Sequence, residues 1–170
     1  VLDCKWLKGA LGSLKCDNAQ GEYYLPDLIA GAVSSGGKVA SADAAANEIL
    51  GVNTQRQLAT VEQIMRRRIV AAMQEGGVSF MDPRHVWIDA DVRIGRGARI
   101  GVAVQLFGTT EIAERAYVEG PALLRSSVVG SGAEVYAFSH LENAVVSSGA
   151  KIGPYARLRP GTDVGEGAKV

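Results

Sequence analysis

The sequence lacks the features that would indicate a metal centre, a disulfide framework or a membrane span. Its two cysteines, Cys4 and Cys16, match no metal-ligand spacing and no disulfide pattern, so we expect reduced thiols in a cytoplasmic protein. No apolar run approaches the roughly 20 residues that cross a bilayer, and no signal peptide is recognisable. We therefore expect a globular protein that does not insert into membranes.

Neither sign of charge is in excess. The 170 residues include 18 Lys and Arg against 18 Asp and Glu, which gives a formal net charge of zero. No global field would attract nucleic acid, and we expect no nucleic-acid partner. The one dense basic run, Arg66–Arg68, falls in a helical stretch and is interpreted as a solvated face.

The second half of the chain contains a six-residue repeat. Ile, Leu or Val recurs every sixth residue, with two steps of five: Ile88, Ile94, Ile100, Leu106, Ile112, Val118, Leu124, Val129, Val135, Leu141, Val146, Ile152, Leu158, Val164 and Val170. The residue two positions before each of these is never larger than Val. A helix returns its faces every 3.6 residues or so, and a strand alternates every second residue, so neither explains the period.

A chain that turns a corner every six residues explains the repeat. Three sides form one coil of about eighteen residues, and stacked coils align the aliphatic residues in columns, which predicts a parallel β-helix. One column begins at Ile88, the next at Ile94 and the third at Ile100. The two five-residue steps are interpreted as one-residue deletions at corners. The glycines after the aliphatic residues are predicted to adopt positive φ: Gly95, Gly101, Gly130, Gly153 and Gly165.

A single helix is predicted over residues 54–75, before the repeat. Apolar residues recur at three- and four-residue spacing: Leu58, Val61, Met65, Ile69, Ala72 and Met73. Asn53 or Thr54 is placed to cap its start, and Gly76–Gly77 to end it. We expect the charged face to be wet: Arg56, Glu62, Arg66, Arg67 and Glu75.

The first fifty or so residues resemble the end of an α/β unit. Short helices are predicted over residues 6–14, 25–33 and 42–50, with a short strand beginning at 38–40. A segment of this length cannot bury much core by itself. We expect it to need upstream chain, and the apolar start at Val1 and Leu2 and the repeat still running at Val170 favour a fragment.

Three segments resemble one known family. The segments are Asn18–Leu25, Gly51–Leu58 and Ile152–Gly161. Their order, together with the hexapeptide coil, resembles that of the bifunctional N-acetylglucosamine-1-phosphate uridylyltransferase / glucosamine-1-phosphate N-acetyltransferases. The resemblance covers nearly the whole chain. The coil itself resembles that of hexapeptide-repeat acyltransferases, which wind left-handed.

The resemblance implies a domain order and a function. Residues 1–53 would be the C-terminal part of a nucleotidyltransferase domain, 54–76 a linker helix, and 77–170 the start of a left-handed β-helix acetyltransferase domain. The family acetylates glucosamine-1-phosphate from acetyl-CoA. It then couples the product to UTP with Mg²⁺, giving UDP-N-acetylglucosamine for bacterial cell walls, and it forms trimers through the β-helix. The resemblance implies an enzyme. We expect, however, that neither active site is complete in this chain and that the isolated chain is nearly inactive.

The resemblance also implies roles for two residues. Asn53 matches the asparagine that completes the magnesium site of the uridylyltransferase, although its position alone is more typical of a helix cap. Arg159 matches the arginine that binds the sugar-phosphate acceptor, although its position alone is typical of a solvated turn. No catalytic residue is expected within the chain, and His85 and His140 are interpreted as surface residues.

Other functions remain open on the sequence. The chain could be a trimerisation module without chemistry, because flat-sided coils associate side to side. It could belong to another sugar-1-phosphate nucleotidyltransferase with a hexapeptide coil, although Asn18–Leu25 and the long repeat argue against this. It could also be a plain hexapeptide acetyltransferase, which would not need a magnesium asparagine.

Overall fold

In the computed structural model of this protein the chain divides into two units, one that ends at Ile49 and one formed by Leu50–Val170. The structure describes residues 3–170, so Val1 and Leu2 lie outside the described residues. The first unit contains helix α1 (Cys4–Ala10), a 3-10 turn at Leu11–Ser13, helix α2 (Asp27–Ser34) and a second 3-10 turn at Ala46–Glu48.

The first unit confirms two predicted helices and contradicts two other predictions. α1 and α2 occupy the predicted positions. Residues 38–40 form no strand, and of the helix predicted over 42–50 there is one 3-10 turn. The residues from 38 to 50 are all exposed, and a short Ala-rich helix without packing is marginal in water. Leu28 is the one buried residue between positions 3 and 49, which confirms that this segment has almost no core by itself.

Helix α3 (Gln55–Glu75) opens the second unit, as predicted. Thr54 caps its start, and it ends at Gly76, followed by Gly77 with φ of 93°. Its inner face matches the prediction in part, because Val61, Ile69 and Met73 are half-buried whereas Leu58, Met65 and Ala72 are exposed. Ile64 and Val70 are also half-buried or buried, although the predicted set did not include them. Val70 is the most buried of them and belongs to the core of the β-helix.

The β-helix consists of fifteen short strands: β1 (Ser79–Phe80), β2 (Trp87–Ile88), β3 (Arg93–Ile94), β4 (Arg99–Ile100), β5 (Val104–Phe107), β6 (Glu111–Ile112), β7 (Tyr117–Val118), β8 (Ala122–Arg125), β9 (Val128–Val129), β10 (Glu134–Val135), β11 (His140–Glu142), β12 (Val145–Val146), β13 (Lys151–Ile152), β14 (Arg157–Leu158) and β15 (Asp163–Val164). They form three five-stranded parallel sheets. The first runs β1-β4-β7-β10-β13, the second β2-β5-β8-β11-β14 and the third β3-β6-β9-β12-β15. Every third strand thus returns to the same sheet, which confirms the predicted parallel β-helix.

The register of the sheets confirms the predicted columns. Ile88 pairs with Leu106, and Leu106 with Leu124, through the second sheet. These inward side chains are almost fully buried, at 4% exposure for Ile88 and 0% for Leu106 and Leu124. Burying each of these side chains stabilises the folded state by about 1.5–3 kcal/mol. The first sheet also begins one strand earlier than the repeat indicated, because Phe80 pairs with Ile100.

The two shortened corners are absorbed by single residues in the left-handed region. Ser126 and Asn143 each adopt φ of 44° at the positions where the repeat loses a residue. Ser126 N donates to Phe107 O at 3.0 Å, and Asn143 N donates to Arg125 O at 2.9 Å. Each shortened corner therefore stays hydrogen-bonded to the coil before it.

Close approach of coils, rather than positive φ, explains most of the glycines that follow the aliphatic residues. Gly153 has φ of 90°, as predicted, but Gly95, Gly101 and Gly130 are not among the positive-φ residues. A Cβ at Gly95 would lie 2.6 Å from Glu114 N, and one at Gly130 would lie 2.5 Å from Ser148 N. The positive-φ prediction is therefore wrong at these three positions, where the missing side chain lets two coils approach closely. It is also wrong at Gly165, which has neither a positive φ nor a close neighbour.

This explanation makes Gly130 a sensitive position. We expect Gly130→Ala to lower the free energy of unfolding by about 1–3 kcal/mol, because the new methyl group would force two coils apart. Gly165 is the matched control, since it has the same place in the repeat and nothing within 4 Å of a Cβ. Gly165→Ala should be neutral or stabilising by up to about 1 kcal/mol. Urea unfolding followed by circular dichroism measures both, and equal losses would contradict the close-approach explanation.

Two buried serines at the small-residue position allow a second test. Ser127 Oγ donates to Arg125 O at 2.9 Å and accepts from Ala144 N at 3.2 Å. Ser139 is 2% exposed, and its Oγ has no hydrogen-bond partner in the part of the chain that the structure describes. Ser127→Ala should therefore lower the free energy of unfolding by about 1–2 kcal/mol, whereas Ser139→Ala should leave it unchanged or raise it by up to about 1 kcal/mol. Unfolding midpoints in urea measure the stability of both variants. A clear loss of stability in Ser139→Ala would contradict this explanation.

Candidate functional site

Asn53 lies in the exposed loop directly before α3. Its backbone N–H donates to Gln57 Oε1 at 2.8 Å, while Gln57 N donates to Thr54 Oγ1 at 3.2 Å. This is a variant of the Thr-x-x-Gln capping box, in which the Gln57 side chain accepts from the backbone N–H of Asn53 rather than from that of Thr54. Thr54 is therefore the cap, and the side chain of Asn53 makes no hydrogen bond within residues 3–170. The helix-cap interpretation of Asn53 is wrong, and its amide oxygen is free to act as a ligand.

Arg159 stands at the start of a tight turn after β14. Thr162 N and Thr162 Oγ1 donate to Arg159 O at 3.0 and 2.7 Å. Pro160 and Gly161 occupy the two central positions, and Gly161 has φ of 84°, a combination that favours a type II turn. Gly161 N also donates to Asn143 O on the preceding coil at 3.0 Å. The backbone that carries Arg159 is thus fixed from two sides.

The guanidinium of Arg159 is an exposed cation without an ion pair to any residue from 3 to 170. Arg125 and Glu142 are register partners on the second sheet. Arg159 occupies the equivalent place one coil further on, immediately after the inward Leu158. A guanidinium offers five N–H donors in a planar fork that matches phosphate oxygens. The arrangement therefore suits an oxoanion such as a phosphate group.

The two candidate residues are not joined by any hydrogen bond or ion pair in the described part of the chain. Asn53 precedes α3, and Arg159 follows the fourteenth of fifteen strands. Within residues 3–170 there is no group of three or more His, Cys, Asp or Glu that would hold a metal ion. Mg²⁺ requires several hard oxygen ligands, and the single amide oxygen of Asn53 does not make a magnesium site by itself. The structure therefore does not join Asn53 and Arg159 in one site, and their roles stay predictions.

The histidines lie where surface residues are expected. His140 is half-buried on the outer side of β11, in register with Arg157. His85 is exposed, with Nδ1 2.8 Å from Asp82 Oδ2. The same Asp82 carboxylate accepts from Arg84 Nε and Nη2, each at 3.1 Å. Hydrogen bonds from Arg84 and then His85 hold the pKa of Asp82 well below its ordinary range.

A charged network on the first sheet was not predicted. Lys151 Nζ donates to Glu134 Oε1 at 2.9 Å, and Tyr136 Oη donates to Glu134 Oε2 at 2.6 Å. The hydrogen bond from Tyr136, followed by that from Lys151, lowers the pKa of Glu134, and Glu134 raises the pKa of both partners. Glu134 and Lys151 are 17 residues apart. This spacing of one shortened coil is the sequence signal that could have revealed the pair.

Helix α3 also contributes an unpredicted contact. Arg66, which was expected to be solvated, is half-buried, with its guanidinium 4.9 Å from the centroid of the Trp87 ring. In a similar contact, the guanidinium of Arg125 on β8 lies 4.7 Å from the centroid of the Phe107 ring on β5. The expectation of a wet arginine is wrong at Arg66, because an indole face attracts a guanidinium and shields it from water.

Among residues 3–170 no helix is both long and apolar enough to cross a membrane.

The three parallel sheets and their buried aliphatic columns define the class of this protein as a β-helix of six-residue repeats. No family model matches the chain. Over 173 residues it is 42% identical to the bifunctional protein GlmU of Mycolicibacterium vanbaalenii, which covers 100% of this chain and 35% of that protein. Over 161 residues it is 40% identical to the bifunctional protein GlmU of an Azoarcus species, with 94% and 36% covered. The chain belongs to the GlmU family and spans about a third of the length of these relatives.

Several solved structures overlap part of the chain. Among them is a Bacillus cereus protein described as an acetyltransferase, with 15% sequence identity and a TM-score of 0.34 over 57% of this chain and 70% of that protein. Likeness at this level carries no argument about function. The family assignment rests on the sequence relatives.

The geometry before α3 separates the roles of Asn53 and Thr54. We expect Thr54→Ala to lower the free energy of unfolding of the second unit by about 1 kcal/mol, because Gln57 N loses its acceptor. Asn53→Ala should change it by less than about 0.5 kcal/mol, because the Asn53 side chain has no partner among the described residues. Urea unfolding of both variants measures the difference. A loss in Asn53→Ala as large as that in Thr54→Ala would return Asn53 to a structural role.

Proposed function

We propose that the chain is part of a bifunctional enzyme of UDP-N-acetylglucosamine synthesis. One activity transfers the acetyl group of acetyl-CoA to the amine of glucosamine-1-phosphate. The other couples N-acetylglucosamine-1-phosphate to UTP and releases pyrophosphate. The observation that carries the proposal is the identity of about 40% to bifunctional GlmU proteins along nearly the whole chain.

The division of labour follows the domain order. Residues 1–53 belong to the nucleotidyltransferase domain, 54–76 form the linker helix, and 77–170 begin the acetyltransferase domain with left-handed winding. Two features support this order: a poorly buried first unit, and a β-helix preceded by a 21-residue helix. Acetyl-CoA and UTP are substrates, and the enzyme works in the cytoplasm.

In the acetyltransferase, Arg159 binds the phosphate of the glucosamine-1-phosphate acceptor. Its N–H donors grip two phosphate oxygens, which fixes the sugar relative to the coil. The rigid Pro160–Gly161 turn supports this role, because it limits the entropy that the arginine loses on binding. Arg159 positions the acceptor and does not itself move a proton.

In the uridylyltransferase, Asn53 contributes one oxygen to a magnesium site. Mg²⁺ bound there would neutralise phosphate charge on the nucleotide. The described residues do not complete the site, so a carboxylate must come from elsewhere in the enzyme. The free amide of Asn53 beside the Thr54 cap supports the assignment.

The enzyme assembles as a homotrimer through its β-helix. Exposed apolar side chains on an outer face support side-to-side packing, because Val128 and Val145 are register partners with 39% and 44% exposure. The same face favours a second candidate function, a trimerisation module without chemistry. This function is compatible with the first if the chain provides assembly while the chemistry needs residues outside it.

A chimaeric enzyme tests both roles at once. The chain replaces its matching segment in the Mycolicibacterium vanbaalenii GlmU, and both reactions are assayed. Arg159→Ala should lower kcat/KM for acetyl transfer roughly 10–100-fold, because two charge-assisted hydrogen bonds are lost, and should spare uridylyl transfer. Asn53→Ala should lower uridylyl transfer about tenfold or more and spare acetyl transfer.

Each variant is the control for the other. A chimaera without acetyl transfer although folded and trimeric would favour the purely structural function. Equal losses of both activities in either variant would overturn the assignment of that residue.

A further inference from the structure

A cleft lies between α3 and the first two coils of the β-helix, away from both Asn53 and Arg159. We call it the helix–coil cleft, and six of its lining residues matter here: Arg66, Arg84, His85, Trp87, Gln105 and Phe107. Nothing in the proposed function uses these residues. No carboxylate is among the lining residues in the described part of the chain, but Asp82, which does not line the cleft, pairs with Arg84 and His85. Arg66 is therefore the lining cation without an ion pair among the described residues.

Arg66 is held in a defined orientation at one side of the cleft. Its guanidinium lies over the Trp87 ring, and it has no ion pair among residues 3–170. An aromatic face holds a guanidinium through its plane and leaves the N–H edge available. Arg66 is therefore a preorganised donor of hydrogen bonds to an anion.

Arg84 supplies a second guanidinium from the turn before β2. Asp82 accepts from its Nε and Nη2, which orients the group and leaves Nη1 unused by this carboxylate. His85 Nδ1 is hydrogen-bonded to the same carboxylate, which leaves Nε2 available. Two arginines from different elements, α3 and the turn, thus line one cleft.

The floor between these polar groups is apolar. Trp87 is 45% exposed and Ala103 on the next coil is also exposed, whereas Phe107 is half-buried and Val104 is fully buried. Gln105 pairs in register with Trp87 and adds one amide between the two rings. A ligand of the cleft must combine an anionic group with a flat or apolar part, since aromatic side chains favour such contacts.

We propose that the helix–coil cleft binds a nucleotide, with a diphosphate across Arg66 and Arg84 and the base against the part of Trp87 that Arg66 leaves exposed. Phe107 borders this position, with Arg125 over its ring. A carboxylate has two oxygens and typically fills one guanidinium fork, whereas a diphosphate has enough oxygens for two arginines on separate elements. The site is independent of the proposed function, because it shares no residue with it.

Fluorescence of Trp87 reports on the cleft directly. The protein has two tryptophans, so Trp6→Phe leaves Trp87 as the single reporter in the 170-residue chain. The probes are ADP, inorganic pyrophosphate, adenosine and a hexaglutamate peptide, with isothermal calorimetry as a second readout. ADP should quench Trp87 saturably, pyrophosphate should bind more weakly because it lacks the base, and adenosine more weakly still.

Variants assign the binding to the two arginines. Arg66→Gln and Arg84→Gln should each weaken ADP binding about tenfold, because charge-assisted hydrogen bonds are lost. Arg93→Gln is the matched control, since Arg93 is exposed on β3 of the third sheet, and it should leave binding unchanged. Thermal unfolding verifies that each variant is folded, and Arg66→Lys gives a second, milder test of the guanidinium fork.

Three outcomes would overturn the proposal. The first is no saturable ADP binding at millimolar concentration. The second is ADP binding that is unchanged in folded Arg66→Gln and Arg84→Gln, because the nucleotide would then sit elsewhere. The third is tighter binding of pyrophosphate or hexaglutamate than of ADP, which would assign the cleft to an inorganic anion or to an acidic protein segment.

Discussion

Hydrogen bonds between successive coils are the interaction on which every other part of the β-helix depends. Most of its strands have only two residues, too few to persist alone, and each is held by the coils above and below. At the corners the backbone of one coil donates to the next, as in Gly95 N to Ile112 O and Gly130 N to Val146 O, both at 2.7 Å. These bonds require the coils to approach closely, and a Cβ at either glycine would prevent it.

The stacking of coils also determines which side chains become neighbours on the surface. Because the register is fixed, outward residues one coil apart become neighbours, and Glu134 meets Lys151 although 17 residues separate them. Corners offer a second kind of position, where a turn such as Pro160–Gly161 carries a side chain on a rigid backbone. Arg159 stands on such a backbone, and a side chain carried on a preorganised backbone loses less entropy when it binds a ligand.

The two units differ in how they are stabilised. The second unit contains all the buried aliphatic columns, together with Val70 from α3, whereas the first unit buries Leu28 and little else. Short helices without a core are marginal in water. This difference explains why two local predictions in the first unit were wrong, those for residues 38–40 and 42–50. The predicted columns of the second unit were confirmed except at Val170, which is 58% exposed and lies in no strand.

The sequence by itself determined the β-helix, its three columns and the position of α3, whereas the roles of Asn53 and Arg159 rest on the resemblance to the family and stay predictions. The fifteen aliphatic positions, spaced by six residues with two steps of five, are local information that stacking of the coils repeats. Only the tertiary structure decided that Thr54 rather than Asn53 caps α3, that Gly95 and Gly130 serve close approach, and that Arg66 lies on Trp87. These contacts depend on distances between elements and on how a helix rotates onto the coil, and no period in the chain encodes them.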